Sequence, residues 1–157
     1  MTTKKHLQKK SIYDYKRYWY HLSSTLTRKK YRIVPWENDD NRSGDEPEGK
    51  RICVAPSVAH CLTAITYALT DTYCIYRTKD RVKANKPIGI YDSHITKEGW
   101  LQKPTMFVKI GSIDLEEVEK GENVDNVVPE AASSNEPRYS GKVLKWWSRI
   151  KFQHYIK

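Results

Sequence analysis

The sequence predicts an α+β fold: a split, mostly antiparallel sheet around one main helix, with basic N- and C-terminal extensions. Three observations predict it. At least four short runs rich in β-formers are spread over the chain, Trp19–Ser24, Arg51–Ala55, Tyr73–Tyr76 and Thr105–Ile110. One stretch carries a good helix start, Pro56-Ser57, ahead of Val58, Cys61, Leu62, Ile65 and Leu69 at helical spacing. The charge is segregated: residues 1–32 hold ten Lys/Arg against one Asp, residues 138–157 hold six Lys/Arg and no acid, and the body between them is net acidic.

In chain order, residues 1–10 are polar and basic and form a flexible N-terminus. Residues 11–118 form the core. Within it Ser11–Tyr20 crowds five aromatics around Lys16 and Arg17, a mixture that stacks on bases and holds phosphates, or packs as one face of an ordinary element. Trp19–Ser24 is the first strand. Leu26–Trp36 continues to Pro35, which ends that element. Asn38–Lys50 is an acidic surface loop. Arg51–Ala55 is a buried strand feeding the helix from Ser57 to Leu69. Tyr73–Tyr76 is a strand, Arg77–Lys86 a charged loop, and Ile88–Tyr91 a short strand with Gly89 inside it. Asp92–Lys103 reads as a loop containing Glu98 and Trp100, and Thr105–Ile110 is the clearest strand, with 112–118 pairing to it or continuing it. Residues 119–137 are acidic with two prolines and read as a linker. In 138–157, Val143, Leu144, Trp147, Ile150 and Ile156 alternate with basic residues as a basic amphipathic helix.

Composition sets limits on function. No run of eighteen apolar residues exists to span a membrane, and the charged start from Lys4 offers no apolar signal region, so a cytoplasmic protein is expected. Cys53, Cys61 and Cys74 are an odd set without a Cys-x-x-Cys, and no His pair has ligand spacing. Reduced thiols and no metal follow. A net charge of +9 with basic ends suits nucleic acid or another polyanion. Lys9, Lys10, Lys16, Arg17, Lys145, Arg149 and Lys151 are the candidate contacts, although solvated tails carry such charge equally well.

The order of strand with His, Arg-bearing strand, capped helix and loop Glu ahead of a strong strand resembles small ADP-ribosyltransferase-fold proteins. The rifampin ADP-ribosyltransferases and RNA 2′-phosphotransferases are the nearest patterns. The residues that carry the resemblance are Tyr20-His21-Leu22-Ser23, Arg51–Leu69, Ile95-Thr96-Lys97-Glu98 and Phe107–Gly111, within roughly His21 to Val118. It implies NAD as substrate and transfer of ADP-ribose to a macromolecular acceptor, protein or nucleic acid. His21 and Ser23 would hold a ribose, Arg51 the pyrophosphate, and Glu98 would stabilise the positive charge that develops on the ribose. Those enzymes place an aromatic ring beside the nicotinamide. Cys53 stands at the matching position here, so Tyr20, Tyr67 or Tyr91 would have to supply it. Two non-catalytic functions stand beside the enzyme. One is a basic nucleic-acid-binding module. The other is a nucleotide-sequestering inhibitor of the kind a phage encodes.

Overall fold

The computed structural model describes residues 10–36, 49–64, 72–88, 96–122 and 141–157. The chain is α+β with antiparallel pairing throughout. Strands β1 (Tyr20–Ser23), β2 (Lys30–Ile33), β4 (Thr72–Thr78) and β6 (Thr105–Asp114) form a four-stranded sheet in the order β1-β4-β6-β2. Strands β3 (Ile52–Val54) and β5 (Gly99–Leu101) form a separate pair. Among the described residues the helices are α1 (Val58–Ala64), α2 (Leu115–Gly121) and α3 (Gly141–Arg149), and a 3-10 turn at Phe152–Tyr155 follows α3.

The two-residue periodicity of the strands sorts side chains onto two faces. Tyr73, Ile75 and Ile113 meet Ala59 and Leu62 of α1, Leu115 and Val118 of α2, Trp147 of α3 and Phe152. On the other face Tyr76, Phe107 and Ile33 meet Trp19, Ile52, Val54, Ala84 and Leu101, so the β3–β5 pair covers the sheet. Ile75 and Tyr76, consecutive on β4, are fully buried on opposite faces, and a register shift in the β4–β6 pairing, where Ile75 faces Gly111 and Tyr76 faces Lys109, bulges Ile110 out of β6. Tyr20 and Ala55 exchange both backbone hydrogen bonds, at 2.8 and 2.9 Å, which ties the end of β3 to the start of β1.

Several expectations are corrected. Asp92–Lys103 is not a continuous loop, because Gly99–Leu101 pairs with Ile52–Val54. Single-sequence patterning misses so short a strand because all three residues are buried and no polar alternation shows. The charged segment from Arg77 does not begin as loop, since β4 runs to Thr78. The linker does not begin at 119: α2 extends to Gly121, capped by the Asp114 carboxylate on the Glu116 N–H and opened by Glu116 and Glu117, which suit the positive end of the helix. The C-terminal helix ends at Arg149. After it the chain turns through Phe152–Tyr155 and Ile156 bridges to Ile113, with Lys157 N–H donating to the Ser112 carbonyl at 2.9 Å. Among the described residues no helix is long and apolar enough to cross a membrane. The expected loop at 38–48, the helix beyond Ala64, the Gly89–Tyr91 part of a strand and residues 123–140 lie outside the described residues, as do Lys9, Tyr67 and Tyr91.

Candidate functional site

Two clusters of side chains stand out among the described residues. The first centres on Cys53. His21 on β1 donates from Nδ1 to the Cys53 carbonyl at 3.0 Å and is flanked by the Trp36 and Phe107 rings at 5.8 and 6.0 Å. Arg51, buried one residue ahead of β3, lies with its guanidinium 4.2 Å from the centre of the Trp100 ring. Trp100 pairs with Cys53 across β3 and β5, and its indole N–H donates to the Glu98 carboxylate at 3.2 Å. The Glu98 backbone carbonyl accepts from the Tyr13 hydroxyl at 2.6 Å. Lys97, with a left-handed φ of 55°, turns the chain just before Glu98.

The electrostatics tie these groups together. Burial pushes the Cys53 thiol up to about 12, the Glu98 carboxylate adds to that, and the Arg51 charge opposes it. His21, Arg51 and Glu98 therefore surround one strand residue, although 77 positions separate the first from the last. Burial holds His21 below its ordinary value, so at neutral pH the ring is the uncharged Nδ1–H tautomer that its carbonyl partner requires. Ser23, the predicted ribose contact, ends β1. It is buried, and its hydroxyl accepts from the Thr25 and Leu26 amides at 3.2 and 2.9 Å, which makes it the turn-former after β1.

The second cluster is an open cleft of about 450 Å³ lined by Tyr15, Lys16, Arg17, Tyr18, Tyr20, Pro56 and Arg81. Three of those seven are cations and three are tyrosines. Arg17 and Arg81 are held by aromatic and carbonyl partners. Arg17 donates to the Pro56 carbonyl at 3.1 Å and sits 5.5 Å from the Trp19 ring. Tyr18 lies under both Arg77, at 4.1 Å, and Arg81, at 5.3 Å. Backbone exchange between Arg17 and Val82, at 3.1 and 2.9 Å, holds the two sides of the cleft together.

Behind Pro56, Ser57 starts α1. Its hydroxyl accepts from the His60 amide at 3.2 Å and lies 2.5 Å from His60 Nδ1. Burial first, then the charges of Lys97 and Arg17, lower the His60 pKa. A neutral ring there accepts the hydroxyl proton, so both groups are satisfied by one another.

Of the predicted basic contacts, Lys16 and Arg17 line the cleft, and Lys10 is exposed ahead of it. Lys145, Arg149 and Lys151 are exposed on the C-terminal segment, which the Trp147 and Phe152 anchors fix to the helical face of the sheet. Sequence reasoning missed Trp36, Trp100, Arg77 and Arg81. Their placement depends on which strands pair, and the only local signal was the interleaving of Tyr and Arg. Among the described residues no cluster of His, Cys, Asp or Glu could hold a metal ion. No protein-family model, no curated protein and no solved structure matches the chain.

Proposed function

We propose that the protein binds a phosphate-bearing polyanion, nucleic acid, in the cleft between residues 15–20 and Arg81. The observation that carries the reading is the lining itself: Lys16, Arg17 and Arg81 beside Tyr15, Tyr18 and Tyr20. Cations that neutralise phosphates release counterions, and tyrosine faces stack on bases without needing a particular sequence. The charge of the whole chain, +9, favours the encounter.

The test is a titration of a labelled oligonucleotide at several salt concentrations. Affinity falls with salt at a slope of roughly −0.7 per single-strand phosphate contacted. The double substitution Lys16→Glu/Arg81→Glu lowers affinity at least about tenfold at fixed salt. Arg17 is left in place because it also anchors Pro56. Unchanged affinity in that variant sinks the reading.

A second reading is NAD-dependent transfer of ADP-ribose to a macromolecular acceptor. The gathering of His21, Arg51 and Glu98 about Cys53 favours it. Glu98 would stabilise the ribosyl cation and His21 and Arg51 would hold the dinucleotide, with Trp36 or Trp100 as the ring beside the nicotinamide. Incubation with labelled NAD and lysate would transfer label to protein or nucleic acid. Glu98→Gln would cut that transfer by about a hundredfold, the usual cost of losing one preorganised charge. Absence of label in any acceptor discards it.

A further inference from the structure

Among the described residues the helices cover one end of their face of the sheet. Tyr73, Ile75 and Ile113 are buried beneath them. At the other end, residues directly opposite one another in the ladders share that face. Tyr20 lies opposite Arg77, Arg77 opposite Val108, and Val108 opposite Lys30. One row thus crosses all four strands. A second row follows below it: Arg32 lies opposite Met106, and Met106 accepts a hydrogen bond from the Lys79 amide at 2.9 Å. Lys30, Arg32, Lys79 and Met106 are exposed, while Tyr20, Arg77 and Val108 are half-buried.

The paired positions in these rows hold no carboxylate; the acid nearest in sequence is Asp80, beyond the end of β4. Tyr20 belongs both to the first row and to the cleft, and Tyr18, under Arg77, joins the two. Strands are spaced about 4.8 Å apart, so Arg77 and Lys30 stand roughly 10 Å from each other across the sheet. That spacing lets long Arg and Lys side chains reach different phosphates of one extended strand. The rings and the small apolar positions between the cations, Tyr18, Tyr20, Val108 and Met106, offer flat contact for unstacked bases, which a duplex keeps inside its helix.

We infer that the open half of the sheet is a track for single-stranded nucleic acid, entered from the tyrosine cleft and running over Arg77 to Lys30 and Arg32. This rests on the polyanion reading above and narrows it to single strands on a named surface. The geometry also sets the polarity of roles: Lys30, Arg32 and Arg77 take phosphates, and Tyr18 and Tyr20 take bases.

Fluorescence anisotropy with a twelve-nucleotide oligothymidylate and a twelve-base-pair duplex tests it. The single strand binds at least about tenfold more tightly than the duplex. Lys30→Glu/Arg32→Glu weakens oligothymidylate binding about tenfold or more. Lys103→Glu/Lys120→Glu, which changes net charge equally but lies off the two rows, leaves it within about threefold. Tyr18→Ala loses the single-strand preference and Tyr18→Phe keeps it, with unchanged circular dichroism showing that each variant folds. Equal binding of duplex and single strand, or equal losses in the two double variants, overturns the inference. If Lys16→Glu/Arg81→Glu still weakens binding at least about tenfold in that case, the polyanion reading survives alone. If neither nucleic acid binds at all, both fall.

Discussion

His21 shows how a single side chain reports its surroundings. Its ring sits between Trp36 and Phe107 and donates to a backbone carbonyl, so protonation would put charge where burial opposes it. The folded-state pKa is lowered, as it is for His60. The unfolded chain therefore binds protons first as pH falls. The stability these groups contribute is fully present above the unfolded value of 6.5 and is lost as pH drops through the lowered folded values. Denaturant midpoints should fall between pH 7.5 and 5.5, and the fall should be shallower in His21→Gln. A flat profile in the wild-type chain would contradict the account. The thiols give a second check at this scale. Cys53 and Cys61 are both pushed up to about 12 by burial, so neither carries appreciable thiolate at pH 8. A thiol reagent should leave both unmodified in the native protein and react with all three cysteines in guanidinium. That His21 and Arg51 lie on or beside strands was legible in the sequence, whereas Glu98 falls in what reads as a loop because β5 beside it shows no alternation. Their neighbours Trp36 and Trp100 were not legible, because no local pattern tells which strand lies opposite β3.

At the scale of elements, local chemistry and packing divide the work. The start of α1 was legible from Pro56-Ser57, and the Ser57 hydroxyl does cap the helix. Ser57→Ala should cost about 1 kcal/mol in urea unfolding. Strand β5 was invisible to period-two reasoning, and its placement depends on a tertiary constraint at Gly99. A Cβ there would lie 2.8 Å from the Ala84 Cβ and 2.9 Å from the Trp19 ring. Both neighbours are buried, so neither has room to give. Gly99→Ala should destabilise by about 1–3 kcal/mol, the usual cost of overpacking, and should loosen β5 from β3. The C-terminal helix shows the reverse case. Its amphipathic spacing was plain in the sequence, but spacing alone does not say what the apolar face covers. Trp147 is fully buried against the α1 side of the sheet. Trp147→Ala should cost about 3–5 kcal/mol, measured by the same unfolding curves. A cost below about 1 kcal/mol would mean the helix is not docked.

For the molecule as a whole, the fold class was legible because patterned strands and a capped helix agree with one another, the local and global consistency expected of a foldable sequence. The distribution of charge was legible too, but its meaning was not. Sequence alone shows basic ends around an acidic body. In the folded chain, Lys16 and Arg17 from the basic end meet Arg77 and Arg81 from the nominally acidic body, because β1 pairs with β4 and Arg17 bridges to Val82. The cleft and the arginines beside it therefore gather residues about sixty positions apart, which no window along the chain contains. The basic C-terminal segment completes the core through Trp147 and Phe152 and closes on β6 through Ile156 and Lys157, with Lys145, Arg149 and Lys151 exposed. The most direct measurement is an amide shift map of the ¹⁵N-labelled protein titrated with a short oligonucleotide. The account predicts that the largest shifts fall on residues 15–20 and 77–82, and that added salt reverses them. Shifts confined to other surfaces, such as α2 and the C-terminal segment, or no shifts at all, would contradict it.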